Sequence, residues 1–154
     1  MGLFGLLIGL MTGPEQATQP PPAPQTLHGY LWFEPGSLRP ILRGDDPIEM
    51  LAPQIPPGAY VLIRGKADSA GDKGYNLELS RSRALMVADR LVRFGVSPGA
   101  ITIEACGEAF QNRPTADGVS EPMNRFVSFD WRHVPFPSTD GCRSETYAEA
   151  RASN

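Results

Sequence analysis

Apolar and polar residues alternate along the chain with periods that change from segment to segment. Tyr30-Leu31-Trp32-Phe33 is an aromatic run closed by Pro35-Gly36, which predicts a short strand followed by a turn. Asp46-Pro47-Ile48-Glu49 carries a helix start, with Asp as cap, Pro at the first helical position and Glu in the first turn. Pro53 keeps that helix short. Ala59 to Arg64 (AYVLIR) is almost continuously apolar, the pattern of a buried strand. A polar loop, Gly65 to Gly71, follows it.

The strongest helical period spans Asn76 to Phe94. Leu77, Ala84, Val87, Ala88 and Leu91 share one face, while Arg81, Asp89, Arg90 and Arg93 fall mostly outside it. Gly95 and Pro98 supply the stop. Ile101 to Ala105 (ITIEA) alternates as a half-buried strand, and Phe126 to Trp131 (FVSFDW) reads as the last strand. The order predicts an α+β domain with its helices packed on one face of a small mixed sheet. Residues 135–154 carry no such period and are expected to form a loose tail.

Composition sharpens the boundaries. Of 16 prolines in 154 residues, eleven lie in 1–57, none in 58–97 and five in 98–154. Proline fixes φ and donates no backbone hydrogen bond, so regular structure is least obstructed in 58–97. Five prolines in Thr12–Gln25 mark an extended spacer without a core of its own. The expected organisation is an apolar segment at 1–11, a Pro-rich linker at 12–26, a folded domain at 27–134 and a tail at 135–154. The apolar run Leu3–Met11 is too short to cross a bilayer, which takes roughly 20 residues. It reads as an export or anchor segment, or as the remnant of a differently started chain. Any membrane association is expected only through this segment.

A net charge of −3 and the lack of a basic run argue against a nucleic-acid partner. Two histidines and two widely spaced cysteines give no metal-ligand spacing, so neither metal nor cofactor is expected. Cys106 and Cys142 either pair or remain free thiols. A remote enzymatic alternative is a cysteine hydrolase using Cys106 with His133, for which nothing beyond composition speaks.

The chemically distinctive pair is Asp68, at the end of the buried strand, and Arg83, in the early turns of the next helix. Two readings stand. They form a structural salt bridge, or they line one pocket that takes a zwitterion, carboxylate to ammonium and guanidinium to carboxylate.

The run VLIRGKADSAG at Val61–Gly71, followed by YNLELSRSRA at Tyr75–Ala84, resembles the signature of OmpA C-terminal-like domains. The similarity continues through Val87, Leu91, Gly95-Val96, Ile101, Gly107-Glu108 and Asn124-Arg125-Phe126-Val127. It implies a β-α-β-α-β-β sandwich that binds the peptide stem of peptidoglycan non-covalently and is not an enzyme. By that resemblance, Asp68 grips the ammonium of meso-diaminopimelate and Arg83 its carboxylate. Asn76 shapes the pocket wall, and Arg125 is the first arginine of the closing motif. The protein would then anchor in the periplasm or at the outer membrane, with peptidoglycan and other envelope proteins as partners. Lys66 and Ala67 replace the usual His-Thr, and Phe126 replaces the second arginine. These departures leave open a structural or secretion-system component whose groove has degenerated.

Overall fold

The computed structural model describes residues 27–154; the apolar segment 1–11 and the linker 12–26 expected above lie outside them. The described chain runs β1 (Leu27–Phe33), β2 (Pro40–Ile41), α1 (Pro47–Leu51), β3 (Tyr60–Gly65), α2 (Lys73–Arg93), β4 (Ile101–Ala105), β5 (Phe126–Arg132), β6 (Arg143–Thr146) and α3 (Tyr147–Ala152). The strands form one mixed sheet in the order β2-β1-β5-β3-β4-β6.

Local chemistry explains the predicted elements. The Asp46 side chain accepts from the Ile48 amide and starts α1, with Pro47 at its first position. Asp72 caps α2 by accepting from the Tyr75 amide, so the helix starts at Lys73, three residues before the start read from periodicity. Helix α2 then carries the chain from β3 to β4, the one parallel pair, with Val61 opposite Ile101 and Gly65 opposite Ala105. Every other pairing among the described residues is antiparallel, and β5 lies between β1 and β3.

The core lies between α2 and one face of the sheet. Val61 and Ile63 of β3, Ile101 and Ile103 of β4, and Val127 and Phe129 of β5 pack there against Ala84, Val87, Ala88 and Leu91. Gly65 makes this packing possible, because a Cβ there would overlap the Ser80 carbonyl oxygen. Strand β3 therefore ends directly under the backbone of α2, and the loop carrying Asp68 starts from that contact.

The tail differs from expectation. Residues 143–146 form β6, which pairs with β4 (Thr102 opposite Thr146), and Ala150 of α3 enters the core. The segment before β6 crosses the sheet face opposite the helices. Phe136 packs on the Arg132 guanidinium, Thr139 bonds Arg64 and Glu104, and Cys142 is disulfide-bonded to Cys106. The sequence shows no period here because long-range partners, rather than local propensity, order the segment. The same partners correct the helix face: Arg81, expected off the apolar stripe, is buried between Glu145 and the carbonyl of Ala150.

No helix among the described residues is long and apolar enough to cross a membrane.

Candidate functional site

Asp68 sits where β3 gives way to the loop, and backbone bonds hold that stretch from both sides. The Lys66 amide donates to the Phe126 carbonyl at 2.8 Å, and the Ala67 amide to the Gly107 carbonyl at 2.7 Å. The Asp68 carboxylate then points into the protein, its side chain only 8% exposed.

Its two oxygens are used unequally. Oδ2 accepts from Arg125 Nη1 at 2.9 Å, from the Ser120 hydroxyl at 3.0 Å and from the Glu121 amide at 3.1 Å. Oδ1 takes no hydrogen bond among the described residues, and it is not among the polar atoms sealed from solvent without a partner. A buried carboxylate that keeps its charge needs hydrogen-bonded compensation, and Oδ2 collects it. Oδ1 is left as an oriented acceptor. Arg125 is itself held by its Nε, which donates to the Phe33 carbonyl at 3.1 Å.

A loop covers this carboxylate. The Ser69 hydroxyl meets Thr115 Oγ1 at 2.8 Å and the carbonyls of Ala116 and Val119 at 2.8 and 3.1 Å, and the Gly118 amide returns to the Ser69 carbonyl at 2.8 Å. Asn124, fully buried, pins the far side: its amide donates to the Arg113 carbonyl and accepts from the Arg113 amide, at 2.7 and 2.8 Å. Side-chain bonds thus replace the backbone ladder that an irregular loop lacks.

Arg83 lies beside this cluster without bonding Asp68. Its Nε donates to the Ser37 carbonyl at 2.9 Å, Nη2 to Glu34 at 3.0 Å and Nη1 to Lys66 at 3.3 Å. The guanidinium also stacks on the Phe33 ring, 5.0 Å from its centroid, and the residue is fully buried. Burial foremost, then repulsion from Arg125, pulls its pKa down to about 10, against the opposing pull of Asp68. The simple Asp68–Arg83 salt bridge is not formed. Arg83 instead ties the turn after β1 to the end of β3.

Asn76, the other pocket residue expected from sequence, is buried, and its Nδ2 donates to the carbonyls of Asp68 and Ala70 and to Glu108 Oε1, at 3.1, 2.9 and 2.9 Å. It shapes the loop through the backbone. Lys66 reaches outward, donates to the Phe110 carbonyl at 2.6 Å and lies 5.0 Å over the Phe126 ring. Burial, then the nearby Arg64 charge, lowers its pKa from the ordinary lysine value.

The structure therefore brings Asp68, Arg125, Asn76 and Arg83 together. Sequence reasoning missed Ser69 and Ser120, the hydroxyls that close the loop, because serines in a polar loop carry no pattern. The remote hydrolase reading is corrected outright. Cys106 is bonded to Cys142, so it offers no thiolate, and the His133 ring packs edge-on against Trp131.

The geometry can be set beside known proteins. A family model described as "OmpA family" matches residues 47–125, just over half of the 154 residues and inclusive of Asp68 and Arg125. Outer membrane porin F of Pseudomonas fluorescens is 42% identical over 65 residues, which cover 42% of this chain and 19% of that protein. The peptidoglycan-associated lipoprotein of Legionella pneumophila is 37% identical over 73 residues, 47% of this chain and 42% of that protein. The chain thus spans less than half the length of either relative. The crystal structure of the peptidoglycan-associated lipoprotein from Burkholderia pseudomallei shares the fold, with a TM-score of 0.56 at 24% identity over 67% of this chain and 89% of that one.

Proposed function

Because the chain belongs to the OmpA family, we propose that it binds peptidoglycan non-covalently and anchors an envelope protein to the cell wall. It is a domain of the bacterial cell envelope, periplasmic or outer-membrane associated. The ligand in this reading is the peptide stem, with a diaminopimelate side chain as the recognised group.

One observation carries the reading. The Asp68 carboxylate is pre-oriented by three donors on Oδ2 while Oδ1 stays without a partner. An alkylammonium, with its three donors, can supply the hydrogen bond that Oδ1 lacks while Arg125, Ser120 and the Glu121 amide hold the carboxylate in place. The role of each residue follows. Asp68 receives the ammonium, Arg125 holds the Asp68 carboxylate in its orientation, and Asn76 holds the loop wall. Arg83 meets the ligand carboxylate only when the Glu34–Ser37 turn that it holds moves aside.

That last requirement favours a second reading, a structural or secretion-system envelope component with a degenerate groove. Arg83 has no exposed surface, and Lys66, Ala67 and Phe126 stand where the family signature carries polar residues.

Co-sedimentation with insoluble diaminopimelate-type peptidoglycan separates the two. Wild type in the pellet and Asp68→Asn in the supernatant is the expected result. Equal sedimentation of both proteins would sink the Asp68 assignment. Wild type left in the supernatant would favour the degenerate groove.

A further inference from the structure

A concavity of about 440 Å³ opens on the β1–β2 side of the sheet. It is lined by Tyr30 and Trp32 of β1, Leu42, Arg43 and Asp45 after β2, and Met123 of the turn that precedes β5. The volume lies within the range of small-ligand sites.

Its chemistry is specific. Tyr30 and Trp32 point to the face opposite the core and stack on each other, with centroids 5.9 Å apart and planes 25° apart. Tyr30 also contacts Phe126 at 5.9 Å and is 41% exposed. The Trp32 indole Nε1 is buried and donates to no group among the described residues. A buried indole N–H normally has an acceptor, and leaving it without one costs free energy. Arg43 and Asp45 put one charge of each sign on the rim. An aromatic floor with donors and acceptors around it suits a neutral polyol ring, whose axial C–H faces pack on π-surfaces while its hydroxyls and amides bond the rim. A strongly charged ligand would meet one rim charge of its own sign.

The groove also shares a wall with the site described above. Pro122 and Met123 line it, and they stand in the chain between Glu121 and Arg125, the residues that grip Asp68. We propose that the Tyr30–Trp32 groove is a glycan subsite that takes a pyranose ring of an N-acetylated amino-sugar strand. The peptide stem of the same polymer would enter beside Asp68. The choice of a cell-wall sugar rests on the peptidoglycan reading; the aromatic geometry does not.

The test uses the full chain and two separate probes: a stem-free β-1,4 tetramer of N-acetylglucosamine, and a glycan-free stem tetrapeptide containing diaminopimelate. Binding is read from the Trp32 indole N–H resonance, assigned by its loss in Trp32→Phe, and from titration isotherms. The tetramer should shift that resonance, and Tyr30→Ala should weaken its binding about tenfold, roughly the upper end for one aromatic contact. Tyr30 is half-exposed, so this variant keeps the core. Asp68→Asn should leave tetramer binding unchanged and abolish tetrapeptide binding.

A tetramer that neither binds nor moves Trp32 overturns the subsite even when the tetrapeptide binds. Tetramer binding that is indifferent to Tyr30→Ala overturns it as well. So does a Trp32 shift produced by a Gln19–Gln25 peptide and not by the sugar, which would make the groove a seat for the chain's own prolines. Tetramer binding without tetrapeptide binding would support the subsite and reject the Asp68 reading instead.

Discussion

Arg125 Nη1 lies 2.9 Å from Asp68 Oδ2, and both side chains are more than nine-tenths buried, 57 residues apart in the chain. This ion pair joins the start of β5 to the loop after β3. It also decides which carboxylate oxygen is left without a hydrogen bond among the described residues, and so which one the proposed ammonium would meet.

Breaking the pair from the arginine side should be costly. Arg125→Met leaves Asp68 charged and buried with only Ser120 and the Glu121 amide as donors. A loss of about 3–5 kcal/mol is expected, the range for removing one partner of a buried pair. Adding Asp68→Asn should recover part of it, because no uncompensated charge remains. Urea denaturation of the two variants, compared with Asp68→Asn alone, measures both effects. A loss for Arg125→Met below about 1 kcal/mol, the value of an exposed pair, would show that the pair is not desolvated.

Gly65→Ala probes the contact that places the loop. The added methyl would meet the Ser80 carbonyl, which belongs to the helix backbone and has little room to move. Destabilisation of about 3 kcal/mol or more is expected, as for an overpacked core position. Thermal unfolding would register it, and a variant as stable as wild type would mean that α2 can shift off the sheet.

Much of this was legible in the sequence, and the reasons differ by element. Strands β3 and β4 and helix α1 follow from an apolar run, an alternation and a capping pattern, all set by neighbours within a few residues. Asp68, Asn76 and Arg125 were recognisable because their spacing resembles a family signature. Arg83 was recognisable too, yet its orientation toward Glu34, Ser37 and Lys66 depends on a turn that no local pattern encodes. The tail was illegible for the same reason. Arg143–Thr146 is a strand only because the open edge of β4 accepts it and Cys142 is tied to Cys106.

That covalent tie yields a further prediction. The bond closes a loop between residues 36 apart in sequence, and Cys106→Ser/Cys142→Ser should lose about 4 kcal/mol on loop-closure grounds. Guanidinium unfolding of oxidised protein and of the double serine variant supplies the comparison. Equal midpoints would show that the strap over the sheet orders itself without the bond.

Lys66 gives a pH signature with a definite sign. Burial and Arg64 lower its pKa in the folded protein below the ordinary 10.5, so the folded chain releases this proton before the unfolded one does. The unfolded state then binds more protons between the two values, and the Lys66 contribution to stability rises with pH through that window. Lys66→Met should remove this rise. Stability measured from pH 8 to 10.5 on both proteins tests it, and parallel curves would contradict the half-buried placement of the ammonium over Phe126.

The Arg81 latch leads to the last prediction, and here the size of the effect is bounded by topology. Arg81 Nε donates to Glu145 Oε1 at 2.6 Å, and Nη2 donates to the Ala150 carbonyl at 2.9 Å and the Ser153 hydroxyl at 2.7 Å. Hydrogen bonding to Glu145 raises the arginine pKa, so the guanidinium stays charged. In a central strand, removing it would strand a carboxylate. Here β6 and α3 are terminal and can detach, returning Glu145 to water, so the cost of Arg81→Met cannot exceed the free energy that docks them. A global loss of about 2 kcal/mol is expected, the scale of hydrogen bonds to a charged group. Amide exchange in 143–152 should accelerate far more than in β1, β3 or β5, because local opening needs only that docking energy. The disulfide at Cys142 still holds the strap at the edge of β4, so the effect should grow when Arg81→Met is combined with Cys106→Ser/Cys142→Ser. Uniform acceleration across all strands would mean instead that β6 and α3 unfold only with the whole domain.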